Sequence, residues 1–86
     1  MITDVANEIS NNEINVYPNP NEGAFILSVE DATSINEIKL VDALGRVILT
    51  ESSQKNSYSF DGISSGLYTV IVSFENSTIQ RKVVVN

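Results

Sequence analysis

The chain has 86 residues and a net charge of −6, and it contains no cysteine, histidine or tryptophan. The absence of cysteine excludes a disulfide framework and a thiolate metal site, and the absence of histidine removes the commonest general base and zinc ligand. The acidic balance argues against binding to nucleic acid or to an anionic membrane. A hydrophobic fraction of 42% is enough for one thin core, so the composition predicts a single small domain. We expect neither a cofactor nor a small-molecule substrate.

The acidic residues are concentrated in the first part of the chain. Residues 1–38 hold seven acids and no base, whereas residues 39–86 hold all five bases. Residues 1–12 are polar and without period, and we predict a flexible lead-in there, followed by a folded domain over residues 13–86; a short first helix or strand is the alternative. No apolar run approaches the ~20 residues that a membrane span needs, and the first residues lack the basic and apolar regions of a signal peptide.

The rest of the chain is predicted to form an all-β domain. Short runs of alternating apolar and polar residues are separated by turn signals at intervals of about 8–12 residues, which is typical of a small immunoglobulin-like antiparallel β-sandwich. The longest run, residues 66–74, predicts a central strand whose inner face carries Tyr68, Val70, Val72 and Phe74, and it forms a hairpin with the last run. The predicted strands are 13–17, 24–30, 35–41, 46–50, 57–60, 67–74 and 78–85.

Two turns are marked by their residues. Pro18, Asn19 and Pro20 lead to Gly23; the prolines fix φ and the glycine can adopt a positive φ, so this segment is predicted to be a rigid connector between the first two strands. Residues 42–45 are predicted to form a tight hairpin turn, with Gly45 in the left-handed conformation that closes it.

Few residues are candidates for chemistry. Asp42 and Asp61 stand beside glycine-containing turns, where a carboxylate caps backbone N–H groups; a calcium site is the competing interpretation, but the acidic array of a calcium loop is missing. Tyr17, Tyr58 and Tyr68 either pack in the core or form a platform for a sugar. No serine has a histidine to activate it. The sequence therefore predicts a domain that is not an enzyme.

Four stretches carry a resemblance to a known family. Residues 16–20 with residues 23–25 are similar to an opening YPNP-x-x-G-x-F motif, residues 41–47 to a v-D-x-x-G-r-x-v hairpin, residues 63–70 to l-x-x-G-x-Y-x-v, and residues 81–85 to a basic and apolar closing segment. In this order and at this spacing, the chain resembles the type A C-terminal sorting domains of the type IX secretion system, which secreted proteins of Bacteroidetes carry.

The resemblance implies a function that composition does not show. Such domains direct their cargo through the periplasm to the outer-membrane translocon, and then to the cell surface or the extracellular space. The partners implied are the translocon, its shuttle proteins and a sortase-like signal peptidase, which removes the domain and can attach the cargo to the surface. Cleavage is expected upstream of Ile14, within residues 1–13.

The resemblance also assigns residues. Pro18, Asn19, Pro20, Gly23 and Gly45 are expected to shape the fold. The residues expected to contribute to translocon recognition are Gly66, Tyr68, Lys82, Val83, Val84, Val85 and Asn86. A terminal edge strand with a basic pair can be recognised by strand addition or by charge pairing, and it can also pair two domains into a weak homodimer.

The chain departs from the family pattern at Asn86, where a basic residue is usual. The alternative function is an adhesion or carbohydrate-binding β-sandwich within a larger secreted protein, because such modules commonly use tyrosine platforms.

Overall fold

The computed structural model describes residues 13–86, which form seven strands and no helix. Every predicted strand is confirmed, with each end within one residue of its expected position, while the predicted lead-in over residues 1–12 lies outside the described residues. Residues 13–86 contain no helix that is long and apolar enough to cross a membrane. The strands are β1 (Ile14–Tyr17), β2 (Phe25–Val29), β3 (Ile35–Asp42), β4 (Val47–Glu51), β5 (Ser57–Phe60), β6 (Gly66–Phe74) and β7 (Thr78–Val85).

The strands form two antiparallel sheets, which confirms the predicted β-sandwich. One sheet has the order β1-β2-β5 and the other has the order β4-β3-β6-β7. The connections follow the immunoglobulin pattern, except that the fourth strand pairs with β3 and not with β5, so it belongs to the larger sheet. As the longest run predicted, β6 lies in the interior of its sheet, between β3 and β7.

The core lies between the two sheets and is built from alternate residues of each strand. In β6, Tyr68, Val70, Val72 and Phe74 are all buried, as the period-two pattern predicts. The smaller sheet contributes residues such as Leu27, which is fully buried. Burying one such aliphatic side chain stabilises the fold by about 1.5–3 kcal/mol, so this alternation is the main reason why the two sheets pack together.

The strand directions give the sandwich two distinct ends. Strands β1, β3, β5 and β7 finish at one end, which also receives the turns before β2, β4 and β6 and the last residue, Asn86. We call this the motif end. Glu13, the first described residue, lies at the opposite end beside the loop after β2, since the Glu30 amide donates to its carbonyl oxygen at 3.0 Å. We call this the entry end.

Candidate recognition site at the motif end

The four stretches that carry the family resemblance converge at the motif end. The loop between β1 and β2 contacts both the last strand and the loop before β6 through backbone hydrogen bonds. Asp42, in the second stretch, is the cross-strand partner of Tyr68 in the third, and Gly66 is the partner of Val85 in the fourth. Stretches that are up to 65 residues apart in sequence thus form one continuous surface.

Asn19 binds the last strand with both atoms of its side-chain amide. Its Nδ2 donates to the Lys82 carbonyl oxygen at 2.8 Å, and its Oδ1 accepts from the Val84 amide at 2.9 Å. A neighbouring β-strand would offer the same pair of groups to β7. Asn19 therefore occupies the position of an additional strand along the outer edge of β7.

Asn21 extends this contact with its backbone. Its amide donates to the Val84 carbonyl oxygen at 3.0 Å, and its carbonyl oxygen accepts from the Asn86 amide at 2.7 Å. The Asn21 side chain is buried and holds the loop itself, donating to the Pro18 carbonyl oxygen and accepting from the Gly23 amide. We call residues 18–23, with their hydrogen bonds to residues 82–86, the clasp.

Gly23 connects the clasp to the loop before β6. Its φ of 113° is unfavourable for any residue with a side chain, and its carbonyl oxygen accepts from the Ile63 amide at 3.1 Å. A Cβ at this position would lie 2.9 Å from the Ile63 carbonyl oxygen, too close for van der Waals contact. This close approach gives a physical reason for glycine at the position that the resemblance assigned to fold shaping.

The clasp changes how the last strand can be recognised. Within residues 82–85, Lys82 and Val84 are the residues whose backbone groups point away from β6, and the clasp binds the carbonyl oxygens of both and the amide of Val84. An added strand can therefore pair with residues 82–86 only if the clasp leaves. Strand addition to residues 82–86 is therefore obstructed, whereas the exposed side chains of this segment remain accessible to a partner.

Tyr68 is a structural residue of the loop before β6. Its side chain is buried, and its hydroxyl donates to the Ser64 carbonyl oxygen at 2.7 Å. Immunoglobulin-like domains use a tyrosine in this way at the corresponding corner. Gly66 has a φ of 152°, and a Cβ there would lie 3.5 Å from the Tyr68 ring, so the two residues form one unit.

The hairpin between β3 and β4 is held by Asp42. Its carboxylate accepts from the Leu44 and Arg46 amides and from the Arg46 Nε, all at 2.8–2.9 Å. The bond from the Arg46 backbone amide is the largest influence on the carboxyl group and holds its pKa below the ordinary value of 3.8. Gly45 has a φ of 87°, which confirms the predicted turn.

The residues assigned to recognition by resemblance divide into two groups. Val83 and Val85 are buried in the core, as Tyr68 is, so a partner cannot contact them while the domain is folded. Lys82, Val84, Asn86 and Gly66 are exposed. Within the described part of the chain, neither Arg81 nor Lys82 forms an ion pair.

The described residues do not form the sugar platform or the calcium site that the sequence left as alternatives. Tyr58 and Tyr68 are buried with their hydroxyls bound to loop carbonyl oxygens, and Tyr17, which is 49% exposed, lies on β1 of the smaller sheet. The three tyrosines therefore do not form a platform for a sugar. Around Asp61, no cluster of three or more acidic residues is found among residues 13–86.

Sequence reasoning missed two features of the motif end. The role of Asn21 could not be read from the chain, since a buried asparagine with local hydrogen bonds looks like any turn residue. The exposed apolar side chains of Leu44 and Leu67 were also missed, although each stands beside a glycine of a recognised motif. The signal that could have found them is an apolar residue at a position where the alternation or the turn predicts exposure.

These features define an immunoglobulin-like β-sandwich whose recurrent motifs meet at one end. Within that class, residues 15–86 match the family model described as the secretion system C-terminal sorting domain. The chain belongs to this family, the C-terminal sorting domains of type IX secretion, and such a domain is a sorting signal and not an enzyme.

One curated relative is an ulvan lyase of Nonlabens ulvanivorans. It is 29% identical over 77 residues, which cover 85% of this chain but only 14% of the relative. The chain thus spans a small part of the lyase's length. Membership of the family means that the protein interacts with the type IX machinery and is exported towards the cell surface or the extracellular space.

Proposed function

We propose that this domain carries its parent protein through the periplasm to the type IX outer-membrane translocon and is recognised there at the motif end. The convergence of the four family motifs on this end is the observation that carries the proposal. The shuttle proteins of the translocon are the partners we propose for this step.

The proposal separates the recognised end from the end at which the chain enters the domain. Glu13 lies at the entry end, and the described domain is about 40 Å long. A partner bound at the motif end therefore leaves the connection to the cargo accessible. We propose that a sortase-like signal peptidase cleaves upstream of Ile14, in the segment of residues 1–13, and that the cargo is then attached to the surface or released.

Among the residues assigned by resemblance, we propose two different contributions. Lys82, Val84 and Asn86 would contact the partner directly because they are exposed. Gly66, Tyr68, Val83 and Val85 would contribute mainly by holding the loop before β6 and the last strand in place. A weak homodimer through an edge strand remains a prediction, and the clasp limits the available edge of β7 to residues 78–81.

A secretion assay tests the proposed function. The whole 86-residue chain is fused to the C-terminus of a fluorescent protein that is targeted to the periplasm of a Bacteroidetes host, with and without the translocon. We expect fluorescence outside the cells only when the translocon is present. Fluorescence retained in the periplasm of both strains would contradict the proposal.

Deletion of residues 82–86 alone does not identify the recognised residues, because it also removes two core valines. The point variant Lys82→Gln keeps the core and removes only the exposed charge. Lys55→Gln is its matched control, since Lys55 is also exposed but lies in the loop after β4, at the entry end. We expect reduced export for the first variant and normal export for the second.

A further inference from the structure

The outer face of the larger sheet carries an exposed apolar patch at the motif end. Leu67 is 60% exposed and Val84 is 36% exposed, and the two are direct cross-strand partners on β6 and β7. Opposed side chains of this kind have Cβ atoms about 4.5–5.5 Å apart, so they form one surface. Both point away from the core, because their neighbours Tyr68 and Val83 point into it.

The hairpin between β3 and β4 extends this patch. Leu44 is 80% exposed at the tip of the hairpin, and it lines the same groove as Leu67. We call Leu44, Leu67 and Val84 the outer patch. Exposed apolar side chains that lie together in this way are a mark of interaction sites.

A single unpaired cation lies at the margin of the outer patch. Lys82 is on the same face of β7 as Val84, two residues away, and its cross-strand partner is Thr69. Among residues 13–86 it has no ion pair, whereas Lys39 and Arg46, the other cations of this sheet face and its hairpin, are paired with Glu37 and Asp42. The charge of Lys82 is therefore available to a partner.

We infer that the outer patch and Lys82 together form the surface by which the secretion machinery recognises this domain, and that the partner offers an apolar depression with a carboxylate at its rim. The inference rests on the proposed function and specifies the surface that performs it. The clasp supports this choice of surface, because it covers the outer edge of residues 82–86 and leaves their exposed face for contact. Apolar contact supplies affinity in such an interface and a rim charge supplies orientation.

A second copy of the domain is a less suitable partner for the outer patch than a protein of the secretion machinery. The chain carries a net charge of −6, so two copies repel each other. A symmetric contact through the outer patch would also bring the two copies of Lys82 to the same interface. Charge complementarity therefore favours a different protein with an acidic rim.

The test compares export of four single variants of the full fusion. Leu67→Glu and Lys82→Glu alter the outer patch and its cation. The matched controls are Leu49→Glu, at a position that is 41% exposed and faces the opposite side of β4, and Lys55→Glu at the entry end. Each purified domain is first checked for a two-state urea transition and for its mass in solution.

We expect each patch variant to fold as a monomer and to reduce export by about tenfold or more, the loss that one well-buried interface residue typically causes. Both controls should be exported like the original domain. Normal export of the folded patch variants would overturn the inference, and with it the direct contact proposed for Lys82, while leaving the proposed role of the domain in type IX export intact. A dimer of the original domain that Leu67→Glu dissociates without loss of export would also overturn it, since the patch would then bind a second copy. Failure of the original fusion to be exported would instead refute the proposed function.

Discussion

The substitution Asn19→Ala tests the clasp directly. It removes two hydrogen bonds, of 2.8 and 2.9 Å, that join the first loop to the last strand. Each such bond contributes about 0.5–1.5 kcal/mol, and water can replace part of both because the site is exposed, so we expect a loss of about 1–2 kcal/mol in the free energy of unfolding. With a urea dependence of roughly 1–1.5 kcal/mol per M for a domain of this size, the urea midpoint should fall by about 1 M.

Hydrogen exchange makes the same prediction specific to one residue. The Val84 amide donates to the Asn19 side chain, so in Asn19→Ala its exchange should accelerate more than that of core amides such as Val72. The variant Asn19→Asp separates the two hydrogen bonds. Its carboxylate still accepts from the Val84 amide, but it replaces the donor to the Lys82 carbonyl oxygen with a second acceptor oxygen, which is repelled.

The control for both variants is Asn15→Ala. Asn15 is exposed on β1, and its side chain forms no hydrogen bond within the described residues, so the change should stay within about 0.5 kcal/mol. Equal urea midpoints for Asn19→Ala and Asn15→Ala, together with an unchanged exchange rate of the Val84 amide, would mean that the clasp does not stabilise the last strand. The last strand would then be held by β6 alone.

Three further predictions concern other parts of the motif end. Tyr68→Phe removes a partly buried hydroxyl hydrogen bond and should lower the free energy of unfolding by about 1–2 kcal/mol in urea, whereas Tyr17→Phe, at an exposed position, should change it by nothing measurable. Gly23→Ala should destabilise the domain more than Gly45→Ala does. Both positions have a positive φ, but only a Cβ at Gly23 would meet a backbone atom, the Ile63 carbonyl oxygen at 2.9 Å. Thermal unfolding of the two variants measures this order, and equal midpoints would contradict the prediction. Because the pKa of Asp42 is lowered in the folded domain, its contribution to the free energy of unfolding is complete above the unfolded value of 3.8 and is lost as pH falls through the folded pKa. Asp42→Asn should therefore reduce the loss of stability at acidic pH. An unchanged loss of stability at acidic pH would count against the turn geometry.

The strands could be predicted from sequence because their signals are local. In β6, the fully apolar set of Tyr68, Val70, Val72 and Phe74 alternates with a set that is half polar, which specifies the buried face, and Gly66 marks where the strand begins. The turn at Gly45 was predicted for the same reason, since the preference of glycine for positive φ does not depend on the rest of the fold.

The candidate site could be predicted only in part. The resemblance identified the segments, but it gave the same role to Lys82 and to Val83, which point to opposite sides of β7. The predicted terminal edge strand with its basic pair also suggested recognition by strand addition or charge pairing, because nothing in the sequence shows that the edge of residues 82–86 is covered. The outer patch was missed, since an exposed leucine cannot be distinguished from a buried one until the neighbouring strands are known.

The class of the fold, the seven strands, the marked turns and the similarity to sorting domains could all be derived from the sequence, because period-two patterning and turn chemistry act over a few residues. The contact between the loop after β1 and the last strand becomes visible only in the tertiary structure. The hydrogen bonds from Asn19 to Lys82 and Val84 join residues 63 and 65 positions apart. Such contacts depend on how two sheets pack and on which strand lies at an edge, and a local sequence pattern contains no information about either.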